Sequence, residues 1–177
     1  MRPVIYVHGY GSTGNTDTAK NLRATFAGEF DVISPTYDCS NPLAARDQLT
    51  GLIESLKQDN PIIVGTSLGG FFANLVARLC DIPVIAVNPS TQPSGSLHKY
   101  GENAEALAGY QQLEVQERSQ AVQPRRIVIL GTRDDVVNPH TNGALLTENT
   151  ETVWLDMGHR IEPAFYSTIA DFVRKLA

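Results

Sequence analysis

The residues able to do chemistry stand at the ends of short apolar runs. In "PIIVGTSLGGFF" a hydroxyl, Ser67, sits between Gly65 and Gly69 in the pattern G-x-S-x-G. By itself the pattern is weak evidence, and most loop serines do nothing chemical. Here an apolar strand-like run precedes it and an apolar helix-like run follows, which is the setting of a nucleophile elbow. Such a bend needs neighbours without side chains, so that adjacent backbones can approach. It lifts the hydroxyl above the sheet edge and aims a helix N-terminus at the site, where negative charge is favoured.

A serine hydroxyl is a poor nucleophile without a base in reach. The base in turn needs a third group to fix its tautomer and stabilise its charged form. "ILGTRDDVV" offers Asp134 and Asp135, and "LDMGHRIEP" offers His159. The order Ser, Asp, His is that of an α/β-hydrolase. An oxyanion hole needs two backbone donors. The N–H of Leu68, after the serine, is one candidate. The N–H of Tyr10, in the loop "HGYGS", is the other, with Gly9 and Gly11 letting that loop curl close. His8 is read as positioning this loop, not as a base.

The elements that must carry these residues alternate. "PVIYVHG", "FDVISP", "PIIVG", "IPVIAVNP", "RRIVILG" and "ETVWLD" read as six strands. Helical runs separate them: "NTDTAKNLRATFAG" with Ala19, Leu22 and Phe26 on one face, "NPLAARDQLTGLIESLK" with Asn41 as cap, and "GGFFANLVARLC". "NPHTNGALLT" repeats the Asn-Pro helix start, and "EPAFYSTIADFVRKLA" closes the sequence. Strands with few alternating polar residues predict a parallel sheet covered on both faces. Right-handed crossovers then bring every strand end to one edge, where ligands bind. Residues 90–124 are long for a plain crossover, and their Leu97, Tyr100, Leu107, Tyr110 and Leu113 predict an ordered, cap-like insertion. Tyr100 and Tyr110 either line an acyl pocket or pack the cap. The chain is expected to form a single domain over 1–177.

Composition narrows the function. The 177 residues are 42% hydrophobic and 19% charged, with a net charge of -5. No basic run predicts a nucleic-acid surface, and no stretch reaches the roughly 18 apolar residues of a membrane helix. No secretory signal is evident in "MRPVIYVHG", so the expected place is the cytoplasm, as a monomer or homodimer. Two cysteines, Cys39 and Cys80, are too few for a disulfide scaffold; Cys80 reads as a core residue. His98 and His140 read as surface residues, and the four histidines lack metal spacing, so no metal and no cofactor are expected. Gly9, Gly11 and Gly14 formally match G-x-G-x-x-G. Yet the second strand ends in Ser34-Pro35, where a dinucleotide site needs an acid.

Taken together, "YVHGYGS", "GTSLGGFFANLVA", "VNPSTQP", "GTRDDVV" and "DMGHRIEP" resemble the small bacterial α/β-hydrolases of the YqiA-like esterase family, over nearly the full chain. The resemblance implies a shortened α/β-hydrolase with strand order 2-1-3-4-5-6, beginning at the strand that carries the oxyanion loop. Its G-x-x-D pattern falls on Gly131–Asp134 and favours Asp134 over Asp135. Its terminal Gly-His falls on Gly158-His159. Some relatives lack the nucleophile; this chain keeps Ser67. The expected activity is hydrolysis of a small-molecule carboxylic ester or thioester through an acyl-enzyme. The rival expectation is a non-catalytic binding module on the same scaffold.

Overall fold

A computed structural model describes residues 1–137 and 150–177. Six strands form one sheet in the order β2-β1-β3-β4-β5-β6, and every pairing is parallel. The strands are β1 (Arg2–Val7), β2 (Phe30–Ile33), β3 (Ile62–Thr66), β4 (Val84–Val87), β5 (Arg126–Gly131) and β6 (Thr150–Leu155). The helices are α1 (Asp17–Thr25), α2 (Pro42–Ser55), α3 (Leu68–Cys80), α4 (Pro93–Ser96), α5 (Ala104–Ser119) and α6 (Tyr166–Leu176). This is the α/β-hydrolase arrangement that the sequence predicts, with strand ends gathered on one edge. The helix expected in "NPHTNGALLT", with His140, lies outside the described residues.

Side chains sort to the two faces with period two. Ile5, Val7 and Ile63 join α2, α3 and α5 in one core; Val4, Tyr6, Ile62 and Val64 join α1 and α6 in the other. The helix starts follow local chemistry. Thr16 caps α1 by accepting from the N–H of Ala19, and Asn41 caps α2 by accepting from Ala44, with Pro42 in the first turn. Helix α3 is buried along nearly its whole length, including Phe71, Phe72, Leu75 and Val76. Burial of each such large side chain stabilises the fold by roughly 1.5–3 kcal/mol.

The sixth strand differs from its neighbours. Among the described residues it pairs only with β5, at the sheet edge, and Trp154 is 44% exposed. The "EPAFY" run begins with a 3-10 turn at Pro163–Phe165 before α6 proper. Residues 90–124 divide into two parts. The segment α4 and the 3-10 turn Leu97–Tyr100 reach the sheet edge, whereas α5 lies against α2 and α3. Among the described residues no helix is long and apolar enough to cross a membrane.

Candidate active site

Strand β3 runs straight into α3, and Ser67 is the hinge between them, with φ 55° and ψ -122°. A non-glycine residue there is strained by on the order of 1–3 kcal/mol. Backbone hydrogen bonds hold it in place. The N–H of Ser67 donates to Val87 (3.0 Å), while its carbonyl accepts from Gly70 and Ser90 (2.9 Å each). The flanking glycines are required by contact. A Cβ on Gly65 would lie 2.1 Å from the Gly69 carbonyl oxygen, and one on Gly69 would lie 2.1 Å from that of Val7. The predicted close approach is therefore that of α3 onto its own strand and onto β1.

The loop after β1 lies against this hinge: a Cβ on Gly9 would be 3.4 Å from Ser67 Cβ and 3.9 Å from its Oγ. Leu68 is the first residue of α3, so its N–H has no acceptor one turn back. Tyr10, next along the loop after β1, lines the same cavity as Ser67. Its phenol donates to Glu102 Oε1 at 2.8 Å, which raises the phenol to about 12. Its ring is tilted against Tyr100, 5.5 Å between centroids.

His8 is fully buried and stacked on Tyr37 at 4.3 Å. Its Nδ1 meets the Gly9 carbonyl at 2.8 Å, and Tyr37 donates to the His8 carbonyl at 2.6 Å. Burial lowers the His8 pKa; the Gly9 carbonyl works in the opposite direction. Nδ1 thus carries the proton, and Nε2 is buried with no hydrogen-bond partner among the described residues.

His159 follows β6, and its Nδ1 donates to both oxygens of Asp134, at 3.0 and 2.9 Å. The Asp134 side chain is 1% exposed. Its Oδ1 also accepts from the N–H groups of Val136 and Val137, at 2.9 and 3.0 Å. Of the two neighbouring acids, Asp134 is the one that meets His159; Asp135 faces solvent. Ser67, Leu68, Gly9, Tyr10 and His159 line one cavity of about 880 Å³ at the C-terminal sheet edge. No hydrogen bond joins Ser67 Oγ to His159 among the described residues. Apo sites often close that distance only around substrate.

Sequence reasoning passed over two groups that hold the histidine loop. Asn88, fully buried at the end of β4 with φ 44°, accepts from the N–H of Gly131 at 2.7 Å. Its Nδ2 donates to the carbonyls of Gly158 and His159, both at 3.0 Å. Glu162 accepts from the Gly158 N–H and pairs with Arg133, each at 2.9 Å; Arg133 also pairs with Asp156 at 2.8 Å. An asparagine before proline at a strand end was the only available signal for Asn88. Tyr110, one of two candidates for an acyl pocket, is buried and donates to the Cys39 carbonyl at 2.6 Å; Tyr100 is the one that lines the cavity. Both cysteines are buried and free. Among the described residues no group of three or more His, Cys, Asp or Glu is arranged to hold a metal.

Among solved structures, the chain is similar to alpha/beta hydrolase domain-containing protein 10 from mouse, with a TM-score of 0.81 at 15% identity, covering 99% of this chain and 90% of that one. It is also similar to a structure from a study of LipS and LipT, two metagenome-derived lipolytic enzymes, with a TM-score of 0.73 at 16% identity and coverage of 98% and 94%. Those likenesses are of fold. A UPF0227 protein from Pectobacterium carotovorum subsp. carotovorum is 28% identical over 160 residues, 87% of each chain. The family described as "Uncharacterised protein family (UPF0227)" matches residues 3–172, and the chain belongs to that family.

Proposed function

We propose that the protein is a serine hydrolase of carboxylic esters or thioesters. The observation that carries this reading is the His159–Asp134 pair, with the acid buried and doubly engaged, facing the same cavity as a serine on a strained strand-to-helix hinge. The α/β-hydrolase fold shared with proteins described as lipolytic supports it.

In this mechanism Ser67 Oγ attacks the carbonyl carbon while His159 Nε2 takes its proton. Asp134 keeps the Nδ1–H tautomer and offsets the imidazolium charge. The N–H groups of Leu68 and Tyr10 hold the oxyanion. The carbon–oxygen or carbon–sulfur bond to the leaving group then breaks, and His159 returns the proton to it. Water, deprotonated by His159, releases the acid from the acyl-serine. The short segment Ser96–Tyr100 serves as a partial cap over the acyl side.

The test is labelling with a fluorophosphonate, with the modified residue located by mass spectrometry. Wild type is expected to react at Ser67 and His159→Ala to react at least a hundredfold more slowly. A folded wild-type protein that does not react at Ser67 would be a binding module, and the hydrolase reading would be withdrawn.

A further inference from the structure

The cavity above Ser67 is chemically two-sided. On one side, between α1 and α6, hydroxyls converge. The Tyr6 phenol lies 2.9 Å from Thr66 Oγ1, beside the nucleophile, and Thr16 and Thr18 line the same side of the cavity. Asn21 extends this wall, and Asp17 is the charged group on α1 that lines it. Facing it, Ile161, Pro163 and Tyr166 supply an apolar surface. On the other side of Ser67 Leu97 and Tyr100 supply the large side chains, from the segment after β4 that also brings Ser90, Ser96 and Lys99 to the cavity.

From this we infer that the ester taken by the site carries a polyhydroxylated alcohol, seated between α1 and α6. The inference rests on the hydrolase reading above and specifies its substrate class. Each wall hydroxyl both donates and accepts, so the matching ligand also does both. A polyol has hydroxyl edges for the Thr and Asn side and C–H faces for the Ile161, Pro163 and Tyr166 side.

The direction of the substrate follows from proton return. The leaving oxygen must lie near His159, and the residues that follow His159 form the apolar wall of this same side. The alcohol therefore occupies the α1–α6 side, and the acyl chain runs toward Leu97 and Tyr100. An alkyl alcohol placed there would strip water from the hydroxyls without replacing it, a penalty equivalent to about tenfold for each hydrogen bond lost.

The experiment compares kcat/KM of the full chain on glycerol monobutyrate, a butyrate ester of a methyl hexoside, butyl butyrate and p-nitrophenyl butyrate. The acyl group is constant, so differences report the alcohol. At least one polyol ester is expected to exceed butyl butyrate tenfold or more; which one does so separates an acyclic from a ring alcohol. Thr18→Val and Asn21→Leu are each expected to lower the polyol-to-butyl ratio severalfold. Hydrolysis of p-nitrophenyl butyrate without that preference, or an unmoved ratio in both variants, overturns the inference and leaves the hydrolase reading standing. If p-nitrophenyl butyrate is not hydrolysed at all, the hydrolase reading falls and this inference with it.

Discussion

At the residue scale, His8 shows how a titratable group serves as scaffold. It is buried, its Nδ1 proton is committed to the Gly9 carbonyl, and its pKa is held below the ordinary value of 6.5 by burial. Above that value both folded and unfolded chains keep the ring neutral, and the group has no effect on pH dependence. As pH falls through about 6.5 the unfolded chain binds the proton first, so stability falls. Wild type is expected to lose urea-midpoint stability between pH 7 and pH 5 more steeply than His8→Gln; equal slopes would refute the assignment. The reading of His8 as a positioning residue came from its place before Gly9 at a strand end. Its stacking on Tyr37 was invisible in sequence, because the two are distant in the chain and the pairing of β1 with β2 brings them together.

At the element scale, the ends of β1, β3, β4, β5 and β6 each deliver one part of the candidate site. Ser67, Asp134 and His159 were legible because each follows an apolar run and carries a reactive side chain. Asn88 was not, because its role is to join three carbonyl and N–H groups from β5 and the loop after β6, and these are distant in the chain. Asn88→Ala removes all three bonds in a buried setting and leaves their partners unsatisfied, at about 1–3 kcal/mol each. It is expected to lower the thermal midpoint and to slow fluorophosphonate labelling at Ser67 by tenfold or more in protein that is still folded. Labelling at the wild-type rate would mean that His159 needs no such tether. The edge position of β6 follows from the strand order 2-1-3-4-5-6 that the family resemblance implies; "ETVWL" by itself reads as an ordinary strand.

At the scale of the whole molecule, the 90–124 segment reaches back to the first loop. Glu102 accepts from the Tyr10 phenol and from Ser40, at 2.8 and 3.3 Å, tying that segment to the loop whose N–H is assigned to the oxyanion. Glu102→Ala is expected to lower kcat on p-nitrophenyl butyrate severalfold with little change in KM, and Glu102→Gln, which still accepts from the phenol, to recover most of it. A fall in thermal midpoint with kcat unchanged would make the contact merely structural. The sequence carried enough to expect an insertion at 90–124 but not its division, since the periodicity of α5 resembles that of any crossover helix. The sheet order has a further consequence for how the protein comes into being. The elbow and the loop after β1 belong to neighbouring strands β3 and β1, whereas His159 lies in the loop after β6, at the far edge. During synthesis the nucleophile's half can therefore fold on emerging from the ribosome while the base is still being translated. On the hydrolase reading proposed above, a nascent chain would hold a shaped but unreactive pocket, and ester cleavage would switch on only when β6 docks.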